Sequence, residues 1–146
     1  MAKAKEKVDK KTMMVRLSDT SLAFVDSAQD IRGRKVLDRK GEEIGKVDDL
    51  FVDQGDQKVR FLEISSGGFL GLGDTKFLIP MDAITSIKEH EVRIDQTREH
   101  VAGAPRYAPE LVDTRFLTNI YDYYGYAPYW GAGYTYPSYP YYPPRP

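Results

Sequence analysis

EIGKVDDLFVD, residues 43–53, runs through the turn QGDQ, residues 54–57, into KVRFLEIS, residues 58–65. Two β-rich runs separated by four turn-forming residues, one of them glycine, predict a β-hairpin with a longer than minimal loop. In the first run Ile44, Val47, Leu50 and Val52 do not hold a period of two. An isolated glycine inside a strand commonly marks a bulge or a sharp bend, so the phase slip is expected at Gly45. In the second run Val59 and Phe61 fall on one face, Leu62 and Ile64 on the other, which predicts apolar surroundings on both sides.

Regular structure continues in both directions. RKVLD, residues 34–38, reads as a short strand before the turn RKGE, residues 39–42. Downstream, the glycine-rich GGFLGLG, residues 67–73, leads into KFLIP, residues 76–80, and MDAITSIKEH turns back toward EVRIDQ, residues 91–96. There Val92 and Ile94 alternate with Glu91, Arg93 and Asp95. Five or six short strands at about ten-residue spacing, with glycine turns between them, predict an all-β small barrel or strongly coiled sheet. TREHVAG, residues 97–103, predicts a brief helix that stops at Gly103, ahead of Ala104-Pro105.

The flanks differ in kind. Residues 1–12 carry lysines at 3, 5, 7, 10 and 11 with only Val8 as a sizeable apolar side chain after the first methionine, and are expected to be a solvated, flexible arm. Residues 13–29 read as a lead-in segment that packs one or two side chains on the barrel, residues 30–109 as the barrel itself, and residues 110–146 as an aromatic and proline-rich tail. Six of the nine prolines, ten of the eleven tyrosines and the single tryptophan, Trp130, lie between residues 121 and 146.

Composition excludes several classes of function. Without cysteine there are no disulfides, thiolate nucleophiles or zinc-cysteine sites, as a reducing cytoplasm permits. With 21 Lys+Arg against 22 Asp+Glu, the net charge of -1 gives no strong pull on nucleic acid or anionic lipid. No run reaches the roughly 18–20 apolar residues that span a bilayer, and no apolar h-region follows the charged opening, so a cytoplasmic protein is expected.

In DIRGRKVLDRKGEEIGKVDDLFVD the pattern G-x-x-V-x-D-x-x-G-x-x-I-G-x-V, residues 33–47, is followed by VRFLEIS, GGFLGLG, L-I-P-x-x-A-I at residues 78–84, and EVRID. This order resembles the PRC-barrel family, known from the cytoplasmic domain of the photosynthetic reaction centre H subunit and the C-terminal domain of a bacterial 16S ribosome maturation factor. The resemblance covers residues 30–109. It implies a six-stranded antiparallel β-barrel that works as an adapter, with no catalytic residues. The membrane-spanning helix of the H subunit and the extra N-terminal barrel of the ribosome factor have no counterpart in this sequence, which resembles more closely small family members that end in an aromatic tail.

Reaction chemistry is not visible. A phosphate cradle needs G-x-G-x-x-G or G-x-x-x-x-G-K-[ST] ahead of a helix. Here Gly68, Gly71 and Gly73 precede the strand-like KFLIP. Asp48 and Asp49 are strand neighbours that point to opposite faces unless a bulge intervenes, and Asp53 with Asp56 fits turn chemistry better than a calcium loop. His90 and His100, with no cysteine and no HExxH, make no metal set. No enzyme activity, cofactor, metal or small-molecule substrate is expected.

Interaction residues are more visible. Phe69, Leu70 and Leu72 stand between glycines as a sticky loop. The run YDYYGYAPYWGAGY, residues 121–134, carries more aromatic area than water tolerates, so part of it should pack on the barrel or a neighbouring subunit, with Tyr124, Tyr129 and Trp130 as candidate anchors. Beyond it, prolines at 137, 140, 143 and 146 and Tyr136, Tyr139 and Tyr142 share a period of three, the repeat of a polyproline II helix; biased low-complexity sequence is the plainer account. The expectation is a non-enzymatic adapter whose partner is another protein or another copy of itself. Its alternative is an accessory factor of a membrane or photosynthetic complex, at most peripheral to the bilayer, or of RNA and ribosome maturation.

Overall fold

The structure is a computed structural model that describes residues 14–19, 30–53, 55, 57–67, 75–107 and 113–135. Its strands are β1 (Met14–Arg16), β2 (Lys35–Leu37), β3 (Glu43–Asp53), β4 (Lys58–Ser65), β5 (Lys76–Pro80), β6 (Ile84–Ile87) and β7 (Glu91–Ile94). Among the described residues two α-helices follow, α1 (Arg98–Ala102) and α2 (Thr114–Tyr124).

The hairpin forms between β3 and β4, antiparallel from Asp53 opposite Lys58 to Lys46 opposite Ser65. Asp53 organises its turn by accepting from the Gly55 N–H at 2.9 Å, while its carbonyl accepts from Gln57, the one non-glycine at positive φ among the described residues. Two bulges set which side chains share a face. The ladder skips Asp48 between the pairs Val47–Ile64 and Asp49–Glu63, and skips Arg60 between Phe51–Phe61 and Val52–Val59. An extra residue at Asp48 keeps Val47 on the face of Leu50 and Val52, which is why the apolar positions of β3 escape a strict period of two.

One face therefore carries Val47, Leu50, Leu62, Ile64 and Ile79, all buried. The other carries Asp49, Phe51, Phe61 and Glu63, also buried, because Tyr107 packs edge-on to Phe51 at 5.7 Å and Tyr121 of α2 packs on Phe61 at 5.1 Å. On the β2 side the register of β3 shifts between Gly45 and Glu43, next to the expected glycine. Gly45 itself answers a different need. A Cβ there would lie 2.3 Å from the Ser65 carbonyl oxygen, so only glycine lets the two backbones approach.

The sheet departs from six antiparallel strands. It has seven, in the order β5-β4-β3-β2-β7-β6, with β1 paired to β3 off that path. The reason lies in the length of β3: β2 covers only its start, from Glu43 to Lys46, and β1 fills its end, from Phe51 to Asp53. β2 and β7 run parallel, Lys35 opposite Glu91, so the sheet is mixed. Among the described residues no ladder joins β5 to β6, and the sheet is not closed. A 3-10 turn, Met81–Ala83, carries the chain from one edge to the other.

Asp38, fully buried in the turn after β2, accepts from the backbone N–H groups of Lys40 (2.9 Å), Glu42 (2.8 Å) and Arg98 (3.0 Å), tying that turn to the start of α1. α1 is capped by Thr97 and ends at Gly103, where a side chain would collide with the Tyr123 hydroxyl at 2.9 Å. α2 lies within the stretch read as tail. Asp113 caps it through Phe116 N–H at 2.9 Å, Leu117, Ile120, Tyr121 and Tyr124 form its buried stripe, and Gly125 in the left-handed conformation ends it. No helix among the described residues is long and apolar enough to cross a membrane.

Gly45→Ala is expected to cost about 1–3 kcal/mol in urea unfolding, because the methyl meets backbone that cannot turn aside. A loss below a few tenths would mean that β3 and β4 separate freely there. For Asp38, burial works to raise the carboxyl, but the three N–H donors and Lys40 win and hold it below the usual carboxylate range. A depressed folded pKa stabilises above the unfolded value of about 4 and loses that stability as pH falls. Asp38→Ala should therefore cost about 2–4 kcal/mol at pH 7 and distinctly less near pH 3; an equal cost at both would refute the role of its charge.

Candidate functional site

Two groups of polar and aromatic side chains meet the second face of the hairpin. The first is ionic. Glu63, with no exposed surface, faces Arg16 Nε at 3.1 Å, Lys76 Nζ at 3.3 Å and the Tyr107 hydroxyl, which donates at 3.3 Å. Lys76 also bonds Asp48 at 2.7 Å, and Arg16 reaches Asp49 at 3.4 Å. Ser18 donates to Asp49 from its backbone N–H and its hydroxyl. The bulge at Asp48 is what brings Asp48 and Asp49 into one network, the case that a regular strand forbids. Burial, with Asp48 nearby, pushes the Glu63 carboxyl up against the pull of Arg16 and Lys76; the hydrogen bond from Lys76 holds Asp48 below the usual range. Among the described residues no three His, Asp or Glu side chains are grouped so that they could hold a metal ion.

The second group is aromatic, and part of it is open to solvent. The extra residue Arg60 sets its guanidinium 3.5 Å from Asp53 and 4.2 Å above the Tyr129 ring, a cation–π contact worth about 0.5–2 kcal/mol. Trp130 stands edge-on to Tyr129 at 5.0 Å and to Tyr121 at 5.7 Å. After α2 the chain makes two turns, with Gly131 N–H bonded to Pro128 and Tyr134 N–H to Gly131, and Gly133 at φ +81. Tyr134 then donates to Asp82 Oδ2 at 2.8 Å. The strap is thus held at both ends, by the Tyr121 ring and by the Tyr134 hydroxyl. Among the described residues Trp130 is the exposed large hydrophobic side chain, at 43%.

The residues expected to bind partners separate accordingly. Trp130 is presented to solvent, Tyr129 is half-buried against Arg60, and Tyr124 is a core residue at 6% exposure, near Tyr123 and His100. Its ring is not on offer to a partner. Phe69, Leu70, Leu72, Tyr136, Tyr139 and Tyr142 lie outside the described residues. Sequence reasoning missed Arg60, Asp82, Tyr121 and Tyr134 as parts of the site. For Tyr121 a signal existed, the helical spacing with Leu117, Ile120 and Tyr124; Arg60 has none, because its direction depends on a bulge.

Asp82 carries the strap's lower end at some cost. Burial pushes its carboxyl up, the Tyr134 hydrogen bond opposes this, and among the described residues neither Oδ1 nor the Tyr121 hydroxyl has a hydrogen-bond partner. A carboxyl whose folded pKa is raised is favourable when protonated, and folding loses that contribution as pH climbs from about 4 through the raised value. Asp82→Asn keeps an acceptor for Tyr134 and removes the charge, so its melting temperature relative to the unsubstituted chain should rise between pH 4 and pH 8. A variant that falls further behind at pH 8 would show that the carboxylate is the stabilising form.

No curated protein matches the chain. Among solved structures, a Pseudomonas aeruginosa protein assigned to 16S ribosomal RNA processing, RimM, is similar over 58% of this chain and 50% of its own, at 21% identity and a TM-score of 0.38. This chain spans half the length of that protein, and a likeness of this size says nothing of partners or activity. The family model described as PRC-barrel domain matches residues 25–101, just over half of the chain and the whole run from β2 to β7. The protein belongs to the PRC-barrel family.

Proposed function

We propose that the protein is a non-enzymatic adapter of the cytoplasm, a β-sheet scaffold that offers an aromatic ledge to a partner protein or to another copy of itself. The observation that carries this reading is Trp130, 43% exposed on a strap whose other rings have internal partners. A large ring held out on rigid supports is what a binding anchor requires, since little ordering remains to be done on contact. The shifted carboxylates of the barrel face support the absence of catalysis: Glu63 and Asp48 are engaged by Arg16 and Lys76 rather than aimed at an open site.

Cutting the chain after residue 110 would remove Leu117, Ile120, Tyr121 and Tyr124 from the core, so a point substitution is the cleaner probe. The full chain and its Trp130→Ala variant are compared as baits in extract from the source cells and by light scattering when pure. The expected result is a partner or oligomer that survives 0.5 M salt and is depleted about tenfold by the substitution, while the variant still unfolds in one cooperative transition, its melting temperature lowered only by the lost ring contacts with Tyr121 and Tyr129. Recovery unaffected by Trp130→Ala would sink the adapter reading. Recovery of nucleic acid or anionic lipid that fades steeply with salt would replace it with the charge-led accessory role.

A further inference from the structure

We infer that the strap, residues 125–135, is a latch worked by acidity: un-ionised Asp82 holds its downstream end shut, and ionisation of Asp82 lets that end lift. The device concerns the strap itself and stands whether or not Trp130 docks a partner. It starts from a difference between the two ends. Upstream, the Gly125 and Tyr126 N–H groups donate to the Tyr121 carbonyl at 2.8 and 3.0 Å, and Gln96 Nε2 donates to the Tyr126 hydroxyl at 3.0 Å. Those groups keep one charge state from pH 4 to pH 8. Downstream, the Tyr134 hydroxyl donates to Asp82 Oδ2 at 2.8 Å, so that end is tied to a group that changes charge.

What the strap covers supplies the second observation. Trp130 stands edge-on to Tyr121, and Tyr134 lies on Asp82. Beneath them the Tyr121 hydroxyl and Asp82 Oδ1 are both buried, and among the described residues neither has a hydrogen-bond partner. A carboxylate accepts on both oxygens, so ionised Asp82 keeps a charged oxygen without a donor. The neutral acid carries its proton on Oδ1 and still accepts from Tyr134 on Oδ2. Burying the neutral form costs less. The charged and titratable groups around the Asp82–Tyr121 pair are Arg60 of β4 and the hydroxyls of Tyr126, Tyr129 and Tyr134. Arg60 favours the carboxylate, but it stands 3.5 Å from Asp53, which offsets it. Burial wins over the Tyr134 bond and Arg60, and the carboxyl lies above its ordinary range. Lifting the downstream end admits water to Oδ1 and restores the ordinary value of about 4. Closure is therefore fully favoured below about pH 4 and weakens as pH climbs through the raised value, by about tenfold in the ratio of closed to open for each unit of difference.

Trp130 is the single tryptophan, so its emission reports on the strap alone. The full chain is titrated from pH 4 to pH 8 with acrylamide, an uncharged quencher. The expected result is a quenching constant that climbs along one titration with a midpoint above about 4, by at most about twofold because the ring is already 43% exposed. Hydrogen exchange at the Leu117 and Ile120 amides of α2, corrected for the intrinsic rate at each pH, should stay constant, which separates opening of the strap from unfolding. Asp82→Asn keeps an acceptor for Tyr134 without the charge, and its quenching should be low and flat. Tyr134→Phe removes the tie, and its quenching should be high from pH 4 onward. A flat profile in the unsubstituted chain, the same climb in Asp82→Asn, or an unaltered profile in Tyr134→Phe overturns the latch. Neither substitution touches Trp130, so that failure leaves the docking reading as it was; a Trp130→Ala variant that still captures every partner removes the docking reading and leaves the latch.

Discussion

A carboxylate with no exposed surface sits on the central strand pair, and the elements around it are arranged to neutralise it. Glu63 draws on Arg16 from β1, Lys76 from β5 and Tyr107 from the segment after α1. Withdrawing a carboxylate from water costs several kcal/mol, and removing one partner from such a group costs about 3–5 kcal/mol because the charge is left behind. The pairing of β1 is therefore fixed by more than its three residues of ladder. A slip of one position would carry Arg16 to the opposite face of the sheet, away from both Glu63 and Asp49. Net stability is not the strongest argument for this network. Register is.

Charge and aromatic strap share the same face of the hairpin, and both arrive there through a bulge. Without the extra residue at Asp48, Val47 would leave the apolar face and Lys76 would lose its bridge between Asp48 and Glu63. Without the one at Arg60, Phe61 would not stand opposite Phe51, and the surface that receives Tyr107 and Tyr121 would be broken. The second bulge also explains why a buried arginine is tolerated near the hairpin's end: Asp53 offsets its charge and Tyr129 covers its face. A scaffold and a ledge thus rest on two bulges of one ladder.

Much of this was legible in the sequence. The alternation of Val92 and Ile94, the turn around Gly41 and the hairpin at Gly55 follow from periodicity and turn chemistry, and the family from the motif of residues 33–47. Other parts were not. β1 is three residues long, too short to show a period, and its place depends on the uncovered end of β3, a tertiary fact. α2 had all its signals, Asp113, the Leu117, Ile120, Tyr121, Tyr124 spacing and Gly125, but tyrosine-rich composition masked them as tail. The same composition made Tyr124 look like a surface anchor. An aromatic ring is equally at home in a core or an interface, and only the helical phase tells which side it faces.

That phase also bears on why Trp130 is outside. The rings of the strap are distributed among internal tasks: Tyr121 covers Phe61, Tyr129 covers Arg60, and Tyr134 bonds Asp82. An exposure of 43% on a tryptophan leaves about 100 Å² in water, a cost of about 2.5 kcal/mol by area. Sinking the ring would need space now taken by Tyr121 and Tyr129, and moving Tyr129 would uncover the guanidinium of Arg60 beside Asp53. The ring is therefore kept in water by the packing beneath it, and the free energy it forgoes in the isolated chain is available to whatever covers it.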